Sequence, residues 1–334
     1  MGAGTLAGRC LSALLGLGIL AMAASAALAD PLPSWQAGEA KSRILAFVEA
    51  TSDPASRDFV PVAERIAVFD NDGTLWAEQP VYFQLIFALD DLKARAAEDP
   101  SILSSDALRA AAAGDMKALL AGGKEAIEEV VAVTHADMTV EAFQEATALW
   151  LRTAKHPRSG WPYEQMVYQP MLELLRYLRD EGYKTYIVSG GGLHFIRSYA
   201  QKAYNIPPEQ VIGSVAATEY QLVDGKPEIM KEPEIIFIDD KAGKPVAIDR
   251  AIGRRPIFAA GNSDGDFEML EWTSSGPGLR FAMLVHHDDA AREWAYDRDS
   301  HIGRLVRGLD EGPERGWLIV SMAKDWKTIF PEAD

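Results

Sequence analysis

Two textures of hydrophobic and polar positions divide the chain. Residues 35–50 set Ile44, Leu45, Phe47 and Val48 at helical spacing, which predicts an amphipathic helix. "RIAVFD" (65–70) runs apolar up to its final acid and predicts a short buried strand. From Val81 to Ala154 the pattern becomes Ala-rich and helical, broken near Pro100, Gly114 and Gly122-Gly123, so an all-helical insertion is expected there. "RSGWPY" (158–163) reads as the linker that returns from it.

Beyond that linker, helical and strand patterns alternate. "QPMLELLRYLRDEGY" (169–183) predicts a helix, "KTYIVSGGG" (184–192) a strand, and "LHFIRSYAQKAYNI" (193–206) a second helix. Strands are expected at "RPIFAAGN" (255–262) and "FAMLVHH" (281–287), with a helix at "DFEMLEW" (266–272) between them. "EYQLVDGKPEIM" (219–230) predicts a hairpin around Asp224-Gly225. Strands alternating with helices imply an α/β fold with a mainly parallel sheet and helices on both faces. Ligands of such sheets bind beyond the carboxyl ends of the strands. Three polar clusters fall at those ends: Asp70 with Asp72, Ser189 with its glycines, and the 261–266 loop.

The amino terminus carries a separate signal. Arg9, an apolar run from Leu11 to Ala24, and Ala27-Leu28-Ala29 form the pattern of a signal peptide over residues 1–29, cleaved to leave Asp30 first. A periplasmic or secreted protein is expected, with no stable membrane association after cleavage. Cys10 is the only cysteine and lies inside that leader, so the mature chain has no thiol and no disulfide. The net charge of -16 becomes -17 when Arg9 is removed. Such a balance argues against nucleic acid as a partner, since nucleic acids are bound through excess Lys and Arg. A small anionic substrate is compatible with it where a metal or another local cation is present.

Asp70 and Asp72 raise the sharpest chemical question. Residues two apart on an extended chain point the same way, so both carboxylates face one small volume, and Gly73 permits a sharp turn after them. A divalent cation would relieve their repulsion. A calcium loop of the EF-hand kind fails, because Leu75 and Val81, or Phe267 and Thr273, stand where Gly and Glu are needed. "SGGGLHF" is no dinucleotide fingerprint, since Phe195 replaces the third glycine. The same stretch suits an oxyanion, with the Ser189 hydroxyl and the free N–H groups of a helix start opened by its glycines, Gly190 and Gly191 among them.

"FDNDGTLW", "IVSGG", Lys244 and "GNSDGDFEML", in that order over residues 65 to 285, resemble the four motifs of the haloacid dehalogenase superfamily. The resemblance is to its magnesium-dependent phosphatases, in the phosphoserine-phosphatase-like subgroup with a helical cap. It implies a Rossmann-like core at 30–75 and 163–334, an all-α cap at 76–162, and Mg2+ as cofactor. It also implies hydrolysis of small phosphomonoesters through an aspartyl-phosphate, with a small phosphorylated metabolite as partner. Asp70 would be nucleophile and metal ligand, and Asp72 the acid and then base, its carbonyl on the metal. Ser189 would bind phosphoryl oxygens, Lys244 would neutralise charge, and Asp266 would hold the metal directly or through water. The proton role requires a raised Asp72 pKa, expected from burial and negative neighbours.

Two positions depart from the pattern. Asn262 stands where an Asp is usual; it offers the metal a carbonyl but no charge, and Asp264 is the candidate to compensate. Lys241 competes with Lys244 for the lysine role, and the helix start at "KPVAIDRAIG" favours Lys244. Trp76 and Glu78 are expected where cap meets core, in contact with substrate or in packing. His286-His287-Asp288-Asp289 matches no zinc spacing and is expected on a loop face. Lys155, His156 and Arg158 lie in the return linker, open to an anionic substrate or simply solvated. Rival activities on the same frame are phosphotransfer, as in mutases, and carbon–halogen or carbon–phosphorus cleavage; the Asp72 acid disfavours dehalogenation, since halide leaves without a proton. A non-catalytic anion- or metal-binding protein is the rival from outside enzymology.

Overall fold

Four consecutive buried residues, Ile66–Phe69, form strand β1 at the middle of the sheet. A strand apolar on both faces demands cover on both sides, and it has it. The computed structural model describes Met1 and residues 29–332, so the leader reading at 1–29 falls almost wholly outside the described residues. The other strands are β2 (Lys184–Gly192), β3 (Val211–Val223), β4 (Lys226–Phe237), β5 (Phe258–Gly261), β6 (Phe281–Asp288), β7 (Ala295–Tyr296) and β8 (Leu318–Ser321). The helices used below are α1 (Glu39–Ser52), α2 (Phe83–Glu98), α3 (Asp106–Ala113), α4 (Met116–Ala121), α5 (Gly123–His135), α6 (Val140–Thr153), α7 (Gln169–Asp180), α8 (Leu193–Arg197), α9 (Ala200–Tyr204), α10 (Gly243–Ile252) and α11 (Phe267–Ser274).

The sheet order is β4-β3-β2-β1-β5-β6-β7, with β8 also on β6. β3, β2, β1, β5, β6 and β8 run parallel, and the two antiparallel partners are β4 and β7. The chain builds outward from β1 first toward β2 and β3 and later toward β5 and β6. β1 and β5 therefore flank the point where strand order reverses, which is where open α/β sheets bind ligands.

One apolar cluster joins α1 and α7 to one side of the sheet, through Ile44, Phe47, Met171, Leu174 and Leu178 with Phe69 and Phe258. A second gathers Val68, Val188, Ile248, Ala259, Phe267 and Leu270, under α10 and α11. The predicted helical insertion is seen as α2 to α6, and a third cluster there holds Leu92, Leu108, Leu119 and Val130.

Three elements differ from expectation. The single helix predicted at 193–206 is two short ones, α8 and α9. The hairpin is far longer than the 12 residues quoted for it: β3 and β4 run from 211 to 237 around Asp224 and Gly225, both at positive φ. β3 achieves this by pairing parallel with β2 at its start and antiparallel with β4 along the rest, through register shifts. β8 was not anticipated. Its four residues alternate buried and half-buried, too few for periodicity to reveal.

Candidate active site

Asp70 follows β1 directly and its N–H donates to Ala260 O at 2.9 Å, continuing the ladder with β5. The next residues turn at Gly73, whose φ is +75° and where a Cβ would lie 2.0 Å from Asn262 Nδ2 and 2.4 Å from Glu78 Oε1. Only glycine fits both demands. His287, buried at the end of β6, places Nε2 2.7 Å from Gly73 O and braces this turn. His286 faces the other way, toward Asp297, so the two histidines point apart at the end of the strand expected at 281–287.

Lys244, delivered by α10, is the only ammonium at the bottom of the site among the described residues. Its Nζ donates to Asp70 Oδ1 at 2.6 Å, Asp266 Oδ1 at 2.6 Å and Val188 O at 2.9 Å. Lys241 is exposed, so the structure places Lys244 there and not its rival. Burial alone would lower the Lys244 pKa, but Asp266 and Asp70 outweigh it and hold the ammonium protonated. Asp70 is nonetheless raised well above the carboxylate range, by burial and by Asp266, which exceed the pull of Lys244.

The second carboxyl, Asp72, lines a cavity of about 530 Å³ with Asp70, Ser189 and Asp266. Its pKa is raised by burial, partly offset by hydrogen bonds from Trp76 and Asn71. The direction agrees with expectation, but negative neighbours are not among its main causes. Trp76 Nε1 donates to Asp72 Oδ1 at 2.8 Å, while its ring stacks on Tyr199 at 4.4 Å and meets Phe83 edge-on. Trp76 is fully buried and does not line the cavity, which corrects the substrate-contact reading: the indole orients Asp72 instead.

The 261–266 loop comes from the end of β5. Asp266 Oδ2 accepts the N–H groups of Asn262 at 3.0 Å and Ser263 at 3.1 Å, so both oxygens of Asp266 are engaged, one by the loop and one by Lys244. Asn262 Nδ2 donates to Glu78 Oε1 at 2.7 Å, and its Oδ1 accepts from Thr74 Oγ1 at 3.2 Å. Asp264 does not compensate for Asn262: it turns away to accept N–H groups of Val306, Arg307 and Gly308 at 2.9–3.1 Å. Glu78 stands beside Asn262 in its place. It is buried, takes a second bond from Tyr296 OH at 2.7 Å, and is raised well above the usual range by burial despite that bond.

Ser189, Gly190 and Gly191 line the cavity at the end of β2. The Gly191 N–H donates to Ser189 Oγ at 3.1 Å and the Gly192 N–H to Gln84 Oε1 at 2.7 Å, so these two amides are not free as a helix start would leave them. β2 runs through the glycines and α8 begins only after them, which corrects that expectation. Lys155, His156 and Arg158 lie outside the cavity wall; His156 is buried against Gln79 O, and Arg158 covers the Trp294 ring. The unforeseen wall residues are Gln84, His135, His194 and Lys231, from the helical insertion, α8 and β4. No local pattern marks them, because each looks like an ordinary surface polar residue of its element.

The site thus holds Asp70, Asp72, Glu78 and Asp266 about one buried ammonium. Hard oxygen donors in surplus fit a small divalent cation well. Among the described residues, however, no set of three or more His, Cys, Asp or Glu side chains is arranged as a ready-made metal cage.

The haloacid dehalogenase-like hydrolase pattern matches residues 67–271, and the chain belongs to that family. No curated protein matches it. Among solved structures, a conserved protein of unknown function from Anaerococcus prevotii aligns at 16% identity and a TM-score of 0.50, covering 75% of this chain and 86% of that one. A protein of unknown function from Bordetella pertussis aligns at 16% identity and 0.49, covering 77% and 98%. A phosphoserine phosphohydrolase-like protein from Francisella tularensis aligns at 18% and 0.38, covering 75% and 98%. At its identity, the likeness to the Anaerococcus prevotii protein concerns the fold alone.

Asp239 yields a stability prediction. It is fully buried, and burial, only partly offset by Lys244, raises its pKa from 3.8 to about 7. A raised carboxyl favours folding below its unfolded value and ceases to as pH climbs through its folded value. Thermal stability of the metal-free protein therefore falls as pH rises from 3.8 through about 7, and Asp239→Asn flattens that fall. Melting curves in chelator across this range check it. Asp264→Ala, which strands three N–H groups, is expected to cost about 1–3 kcal/mol in urea unfolding.

Proposed function

We propose that this hydrolase is a magnesium-dependent phosphomonoesterase that forms an aspartyl-phosphate on Asp70. The observation that carries the reading is the buried Asp70 carboxyl fixed at 2.6 Å from a buried ammonium, with a second carboxyl, Asp72, raised in pKa by burial and lining the same cavity. Asp70 has the approach to the cavity a nucleophile needs: Lys244 fixes its direction while it lines the wall.

An Asp70 oxygen attacks phosphorus and the bond to the leaving alcohol breaks. Asp72, held by Trp76, gives that alcohol its proton. Water then attacks the phosphorus of the acyl phosphate, Asp72 takes a proton from it, and phosphate leaves with the Asp70 carboxylate restored. Ser189 Oγ and Lys244 offer hydrogen bonds and charge to the phosphoryl oxygens. When bound, Mg2+ would supply the charge neutralisation that lets a carboxylate approach a phosphate.

Residues suited to hold the ion are Asp70, the Asp72 carbonyl and Asn262 Oδ1. Asp266 fixes the loop and Lys244, and would serve the ion directly or through water. Glu78 supplies the charge that Asn262 lacks, through its bond to the same amide. The helical insertion at 76–162 would act as the cap that excludes water and selects substrate. The leader pattern at 1–29 supports work in the periplasm or outside the cell.

Hydrolysis of para-nitrophenyl phosphate should require Mg2+ and vanish with chelator. Asp70→Asn is expected to lower kcat by about 10⁴-fold or more while the fold, followed by circular dichroism, is kept; retained turnover would falsify the nucleophile. Glu78→Gln should weaken Mg2+ binding by about tenfold or more, read by calorimetry.

A further inference from the structure

The cavity wall holds a cation that the phosphoryl chemistry does not use. Lys231, on β4, is 3% exposed and lines the same cavity as Asp70 and Asp72. Its backbone is stitched to the turn between α5 and α6: its N–H donates to Met138 O at 2.9 Å and its carbonyl accepts the Asp137 N–H at 3.1 Å. The side chain is therefore aimed, not floating. Its Nζ lies 4.5 Å from the centre of the Phe143 ring and 3.4 Å from His194 Nδ1.

No ion pair to Lys231 occurs among the described residues. Burying an ammonium without a counter-charge is costly, and a cation–π contact returns only part of that cost. Nor do its neighbours supply negative charge. His194 and His135 are both held neutral, lowered to about 4 and about 3 by burial and by Lys231 itself. Glu128 and Glu232 also line the cavity, but neither is paired with Lys231. Leu85, Val131, Phe195 and Ile235 give the same cavity an apolar part of its wall.

Resting on the phosphatase reading, we propose that Lys231 is a specificity-determining residue that receives a second anionic group of the substrate. The substrate class is a phosphomonoester whose leaving alcohol has an apolar or aromatic body and carries a further oxyanion, a carboxylate or a second phosphate. The phosphoryl end meets Asp70 and Lys244, the body lies against the apolar wall, and the second oxyanion completes the charge that Lys231 lacks.

The test compares phenyl phosphate with the phosphate esters of 2-, 3- and 4-hydroxybenzoate, and with hydroquinone bisphosphate. The carboxylate and bisphosphate arms separate the two sources of the anion. The wild-type protein should favour at least one dianionic-ended ester over phenyl phosphate in kcat/KM. In Lys231→Met that preference ratio should fall about ten- to hundredfold, mainly through KM, and Lys231→Arg should keep part of it. A ratio unchanged in Lys231→Met, or a wild-type protein with no preference for any of these esters, overturns the proposal. Calorimetric binding of the hydroxybenzoates themselves reads the site without turnover. Lys231-dependent binding of one of them in a protein that hydrolyses no ester would sustain the anion site and sink the phosphatase reading alone; absence of both turnover and binding overturns the anion site as well.

Discussion

Asp70 and Asp266 clasp one buried ammonium at the end of β1, Asp239 also acts on it, and Asp72 and Glu78 line the same cavity; most of the site follows from that imbalance. Lys244 holds Asp70 and Asp266 at 2.6 Å each. Asp72 and Glu78 are left without a cation of their own, and burial pushes both upward. Charges that cannot be neutralised inside a protein are answered by protons or by a metal. The first answer is the direction in which burial moves Asp72. The second makes the pocket receptive to a divalent ion.

The fold's contribution is to bring these groups to one place. β1 lies between β2 and β5, so Asp70 is flanked by Ser189 on one side and the Asn262 loop on the other. α10 crosses between β4 and β5 and carries Lys244 into the gap. The braces are less obvious: His287 under Gly73, Trp76 against Asp72, and Asp264 tying the loop to residues 306–308. Each holds the backbone or side chain of a residue of the site, without itself lining the cavity.

Much of this was legible in the sequence. Strand-end placement of Asp70, Ser189 and Asn262 follows from alternating helix and strand patterns, and Lys244 from a helix start. What escaped depends on tertiary neighbours. Trp76 reads equally as packing or as a substrate contact until Asp72 is seen beside its indole. Glu78 as the partner of Asn262 is invisible because 184 residues separate them. Asp264 looks like the natural substitute for a missing acid by proximity alone, and only the backbone of 306–308 shows why it is not. The glycines after Ser189 suggest a helix start, yet pairing with β3 keeps them in the strand. Lys231 sits on a hairpin whose pattern suggests a solvated surface, and α5 and α6 cover it.

If the carboxylate surplus is what binds the ion, magnesium must displace protons to enter. Magnesium affinity measured by calorimetry between about pH 5 and about pH 8 tests this most directly. Affinity should rise with pH, with protons released on binding. A constant affinity with no proton release, or no binding at all, would contradict a site built on excess buried negative charge.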